Sequence, residues 1–286
     1  MTPQKAPEQN RLDHILPRSY LRGFAIPNTT DRLNVFKFET RKWFETSPGS
    51  VGGENGFYDY SSGAAPDATA DQAFAELETN FPIVRQELLE QGLGNWTRHR
   101  DFLVRYADML RARSRLYRED TFKDLQTKTF HKIDEIENVP NPDTGEMQSK
   151  IRYSLFTPKN GQEEQDLFKN MSITRMREEI KKAPGLFAEW HWCLQFTADV
   201  TDPFIVADNL AVSLTGPEPA TPAEAVNLPQ TQLIFPLCWQ ICLIGRKQNF
   251  EEETGPIDRV LLHDLQHQCL RDGHSRFAYS PHQLTV

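Results

Sequence analysis

Along the first two thirds of the chain, apolar residues recur at helical spacing; from about residue 190 they come in short runs instead. Pro17 suits the first turn of a helix, where its missing N–H breaks no bond. Tyr20, Leu21 and Phe24 follow on one face, and Gly23 and Pro27 limit this helix to about two turns. Residues 33–38 and 42–46 are rich in aromatic and β-branched residues and predict a hairpin around Glu39-Thr40-Arg41. Gly52-Gly53-Glu54-Asn55-Gly56 reads as a flexible loop delivering Phe57 and Tyr58. Helices are predicted over 71–91, on the period of Phe74, Leu77, Phe81, Val84 and Leu88, and over 97–119, on that of Phe102, Tyr106, Met109, Leu110, Leu116 and Tyr117. Residues 121–162 are charged and interrupted by Pro140-Asn141-Pro142; they read as a mobile excursion carrying a hairpin over 132–156. A helix over 164–182 follows, then strands over 190–197, 204–207, 233–237 and 239–245. A proline-rich surface loop over 216–229, a last helix over 257–271 and a strand over 277–279 complete the pattern. The expectation is an α+β fold in a single domain over 1–286: a short N-terminal helix and β-hairpin, central helices, and a C-terminal, mainly antiparallel sheet with a last helix.

Polar residues that break this pattern are the candidates for chemistry. On a wheel of ~100° per residue, Arg113 falls in the middle of the apolar stripe of its helix. An unpaired buried charge costs several kcal/mol, so Arg113 predicts an internal partner: a carboxylate, a carbonyl or the phosphate of a ligand. Arg100, Arg111, Arg115 and Arg118 fall on the opposite side and read as a solvated face. Glu78 lies at the edge of the preceding helix's stripe, placed to face something, whereas Glu76 points to solvent. His14 stands just ahead of a helix N-terminus, where the macrodipole disfavours imidazolium. Asp208 and Asn209 follow the buried run Phe204-Ile205-Val206. That is a place for a site residue and equally for the start of a turn.

The opening pattern His14-x-x-Pro17-x-x-Tyr20-Leu21-x-x-Phe24 resembles the signature of domain of unknown function 4238, a mainly bacterial family. Further matches follow in order: Glu54-x-x-Phe57-Tyr58, Arg113-Ser114, Phe204 to Asn209, Phe235-Pro236-Leu237 and Arg276-Phe277-Ala278-Tyr279-Ser280. The resemblance spans nearly the whole chain and implies a common fold and a common site, without an activity.

Composition narrows the classes. The 286 residues carry a formal charge of −8, which argues against a broad basic nucleic-acid surface but leaves room for a local basic site. No apolar run reaches the ~18 residues of a membrane span, and the N-terminus lacks a signal-peptide core. Four cysteines do not suggest a disulfide framework in a chain of this size. A cytoplasmic location is the expectation. Nucleophile-elbow, dinucleotide-binding and P-loop patterns are absent. His263 and His267 share a helix face at i and i+4, as zinc ligands can, but Asp264 stands where a metalloprotease needs Glu.

What remains is a dispersed set with the makings of acid–base hydrolysis. His14, Glu54, Arg113 and Asp208 are the candidate catalytic residues, with Tyr20, Tyr58, Glu78 and Asn209 as candidate substrate contacts. His14 or Glu54 would be the base, Arg113 would hold an anion, and Asp208 would orient the His or bind a metal. Mg²⁺ or Mn²⁺ on the carboxylates is an option that the spacing does not require. Two readings stand side by side: a hydrolase acting on a phosphate-bearing or nucleic-acid substrate, and a binding or interaction protein in which the same residues form a structural polar core.

Overall fold

A computed structural model describes residues 12–29, 31–58, 68–140, 147–155, 158, 160–182, 185–208, 212–213, 231–247, 254–271 and 275–284. It begins with a short strand, β1 (Leu12–His14), followed by α1 (Arg18–Leu21), which Pro17 caps and a 3-10 turn over Arg22–Phe24 extends. The hairpin β2 (Leu33–Lys37) and β3 (Lys42–Thr46) lies where the pattern placed it. The expected flexible loop contains a further strand, β4 (Gly53–Asn55), paired antiparallel to β1. Helix α2 (Ala68–Gln91) runs through Pro82. The expected helix over 97–119 is two helices, α3 (Arg100–Arg113) and α4 (Arg115–Gln126). Ser114 separates them in an extended conformation, and its side chain accepts the Tyr117 N–H as the N-cap of α4.

Because α4 continues to Gln126, the excursion starts later than its charge pattern suggested. It is the hairpin β5 (His131–Pro140) and β6 (Met147–Leu155). Helix α5 (Gly161–Lys181) is capped by the Asn160 side chain on the Glu163 N–H. Then come β7 (His191–Phe196), β8 (Val206–Ala207), β9 (Val212–Ser213), β10 (Gln232–Cys238), β11 (Ile241–Arg246), β12 (Gly255–Pro256), α6 (Arg259–Arg271) and β13 (Phe277–Ser280). The class is α+β, with strands in the order β12-β7-β11-β10-β9 in one sheet and β3-β2-β13-β8 in another. Their pairings are antiparallel except for β12 on β7.

The C-terminal strands read as continuous apolar runs because the five-stranded sheet is covered on both faces. Successive side chains alternate between them. Leu194, Leu233, Phe235, Leu237, Ile241 and Leu243 join the main core, shared with Tyr20, Phe24, Phe81, Tyr106 and Leu110 of the helical half. Cys193, Ile234, Cys242 and Ile244 face the other way and meet Leu262 and Leu265 of α6. Gly245 pairs with Trp192, and a Cβ there would sit 2.6 Å from the indole, so only glycine permits that approach. The second sheet divides in the same way: Val35, Val206 and Tyr279 enter the main core, while Phe36, Ala207 and Ala278 pack with Cys269 and Leu270 at the end of α6. Helix α6 is therefore held from its inner side by both sheets, and its outer side carries polar residues.

Candidate functional site

The pairing of β1 with β4 sets His14 opposite Gly53 and Asp13 opposite Glu54. The chain then turns so that the Tyr58 N–H donates to Asp13 Oδ2 at 3.0 Å. Arg113, the last residue of α3, reaches into this corner and is 5% exposed. Its Nε donates to the Tyr58 hydroxyl at 2.7 Å, one terminal nitrogen to the His14 carbonyl oxygen at 2.6 Å, and the other to Glu78 of α2 in a close ion pair. The rings of Tyr58 and Phe74 lie against the guanidinium, with their centroids 5.1 and 4.9 Å from its carbon. Each nitrogen of Arg113 is thus engaged by protein, and cation–π contact covers the rest of the group. Burial pushes the Tyr58 phenol above its usual range, although Arg113 pulls it down. The hydroxyl therefore stays protonated, accepting from Arg113 and donating to the His14 carbonyl at 3.3 Å.

Arg113, Tyr58, Glu78 and the main chain of His14 therefore meet. Arg113 meets His14 through its main chain, whereas the His14 imidazole accepts at Nε2 from Arg18 Nε at 3.2 Å on the exposed side. Glu54 pairs with Arg115 at 2.8 Å and lies 3.9 Å from Arg276. Asp208 is buried at the end of β8, where its Oδ1 accepts the N–H groups of Arg276 and Phe277 at 2.9 and 3.2 Å. Burial outweighs these donors and pushes its carboxyl up to about 6. Tyr20 is a core residue, fully buried, with its hydroxyl on the Pro236 carbonyl at 2.5 Å and its ring stacked on Phe235. Asn209 lies outside the described residues.

The arginines expected on a solvated face are tied down instead. Arg100 donates to the Trp190 carbonyl at 2.8 Å. Arg111 sits 3.7 Å from Glu179 and packs on the Tyr117 ring. Arg115 holds Glu54, and Arg118 covers the Phe57 ring while donating to the Phe57 carbonyl. Arg100 and Arg111 lie on α3 itself and are taken up by the Trp190 carbonyl and by Glu179 of α5, which pack beside it; for Arg115 and Arg118 the reason is the break at Ser114. It redirects α4, so a wheel drawn through both helices misplaces every residue beyond 113.

The open space lies elsewhere. The turn of the β2–β3 hairpin, β13 and the end of α6 enclose a cleft of about 780 Å³ lined by Lys37, Phe38, Glu39, Arg41, Arg271, Arg276 and Phe277, among others. A second cavity, of about 370 Å³, shares Arg41, Leu270 and Arg271 with it and extends along α6 to His267, His263 and Asp202. The two adjoin at these three residues, and together they are called the trough. Lys37 is paired with Glu39 at 2.6 Å, and Arg276 leans towards Glu54. Arg41 and Arg271, which line both halves, have no acidic partner among the described residues. Arg41 also holds a left-handed backbone, φ 52°, at a hairpin position that favours Gly or Asn.

Along α6 the basic residues fall every fourth position: Arg259, His263, His267 and Arg271. Asp202 receives the first two, Arg259 at 2.6 Å and His263 Nε2 at 3.2 Å. The periodicity was available in the sequence as a signal. Asp202 and Arg41, brought in from distant segments, carried none.

No group of three or more His, Cys, Asp or Glu residues is placed to hold a metal ion among the described residues. No helix among them is long and apolar enough to cross a membrane. Comparison with curated proteins and with solved structures finds no match. Residues 13–278, which include the buried corner and all but the last residues of the trough, match the family described as "Protein of unknown function (DUF4238)". The chain belongs to that family.

Proposed function

We propose that the protein binds a phosphate-bearing ligand in the trough beside α6, and that the Arg113 centre is the structural polar core of the fold. One observation carries the reading. In a chain with net charge −8, Arg41 and Arg271 line the same trough without an ion-pair partner among the described residues, since its two acids, Glu39 and Asp202, are engaged by Lys37 and Arg259. Guanidinium groups in that condition match phosphate oxygens in shape and charge. Phe38 and Phe277 supply apolar lining beside them, the usual make-up of a small-molecule site. The strained backbone of Arg41 supports the same reading, since a residue kept in an unfavoured conformation points to a use for its side chain.

Arg113 does not suit this role, because its nitrogens are already bonded and a ligand would have to displace Glu78 or the His14 carbonyl. The test is calorimetric titration of the full chain with inorganic pyrophosphate. Binding is expected, weakened at least tenfold by Arg271→Ala and by Arg41→Gly, and weakened by salt. Arg41→Gly removes the charge while relieving the left-handed strain, so its melting temperature should hold or rise as binding falls. Absence of binding, or binding indifferent to both substitutions, overturns the proposal.

A further inference from the structure

The far end of the trough holds more than positive charge. Asp202, only 16% exposed in its side chain, is fixed by Arg259 at 2.6 Å and faces His263 Nε2 at 3.2 Å. The Gln266 side chain anchors the same segment by donating to the Pro203 carbonyl at 2.8 Å. A carboxylate beside one ring nitrogen selects the tautomer that carries its proton there, which leaves the lone pair of His263 on Nδ1. One helical turn on, His267 lines the same cavity together with Arg41 and Arg271. Two imidazoles on one face, one oriented by a half-buried acid, next to two guanidiniums without an ion-pair partner among the described residues, form a set with a defined chemical use. The pair can take a proton and give one while the arginines hold charge.

We infer that His263 and His267 are an acid–base pair that hydrolyses phosphodiesters bound in the trough, with Asp202 as the positioning residue of His263. The inference rests on the phosphate-binding reading above and adds a reaction to it. His263 takes a proton from water as the water oxygen bonds to phosphorus. The bond from phosphorus to the leaving oxygen breaks, and that oxygen takes its electron pair and a proton from the imidazolium of His267. Arg41 and Arg271 neutralise the non-bridging oxygens, on which negative charge gathers. The sum is water plus diester giving monoester plus alcohol, with no change of oxidation state. Proton exchange with solvent restores both histidines.

The probe is the dinucleotide thymidylyl-thymidine with the full chain, whose alkoxide leaving group needs the proton, followed by the chromatographic release of thymidine. The expected result is release above the buffer rate, reduced at least about a hundredfold in His263→Ala and in His267→Ala. Both residues are exposed, so neither variant should change the melting temperature. Asp202→Asn is expected to lower kcat with KM unchanged, a split that a merely structural role would not produce. Release that survives either histidine substitution overturns the inference. So does the absence of release in a protein that still binds pyrophosphate, and in that outcome the binding reading stands. Failure to bind pyrophosphate removes both.

Discussion

Inside a protein, an arginine must find everything that water had given it. Arg113 finds a carboxylate, a hydroxyl, a main-chain carbonyl and two aromatic faces, each from a different stretch of chain. Removing it leaves Glu78 and the His14 carbonyl without their donor. A fully buried pair broken from one side costs about 3–5 kcal/mol; with Glu78 32% exposed, the loss here should be smaller, about 1–3 kcal/mol. Arg113→Ala should therefore lower the urea midpoint by a corresponding amount. His14→Ala removes an imidazole on the outer side but keeps the carbonyl, and should cost clearly less. Equal losses in the two variants would show that the latch runs through the imidazole after all. At this scale the sequence was partly legible. A cation in an apolar stripe announced a buried partner, and the stripe edge nominated Glu78. The third acceptor was not legible, because a main-chain carbonyl is the same atom at every position.

At the scale of elements, Ser114 matters most. The apolar period runs on from α3 into α4, so the pattern reads as one helix, and nothing in its hydrophobic residues marks the break. A serine followed by a helix-forming segment is the only local cue, and it is a weak one. Ser114→Ala deletes the cap on Tyr117 N–H and should cost about 1 kcal/mol, read as a lower midpoint at unchanged slope in urea unfolding. A gain in stability would mean that a continuous helix is the preferred state. The strands β1 and β4 were missed for a related reason: Gly53-Glu54-Asn55 has poor strand propensity, and tertiary pairing overrides it. The sheet strands were legible because their runs of apolar residues are long and bounded by turns.

Across the whole molecule, two buried carboxyls set the response to pH. Burial pushes Asp108 and Asp208 each up to about 6, above the usual Asp value near 4. Between these values the folded state holds more protons than the unfolded one, so their contribution to stability falls as pH rises from about 4 to about 6 and is flat beyond. Asp208→Asn keeps an oxygen for the Arg276 and Phe277 N–H groups and removes the buried charge. It should stabilise the protein at pH 8 by up to about 3 kcal/mol, about two pKa units at ~1.4 kcal/mol each, and leave thermal stability at pH 4 unchanged. A destabilised variant at pH 8 would show that the charged form is the favoured one. The trough belongs to this scale too. Arg41 and Arg271 sit near opposite ends of the chain, and only the folded sheets bring them together. The net charge described the sum and concealed the local excess.

The fourfold spacing of basic residues on α6 also acts as a ruler. Its first position is spent on Asp202, so the usable portion runs from His263 to Arg271, eight residues, or about 12 Å of helix at 1.5 Å per residue. Each step of four also turns about 40° round the helix axis, so the groups follow a shallow spiral and not a straight row. A phosphate held beside His267, at the middle of this gauge, meets its two ends only through the reach of the Arg271 side chain and of a water held by His263. The groups esterified to it must then follow the bend of the helix.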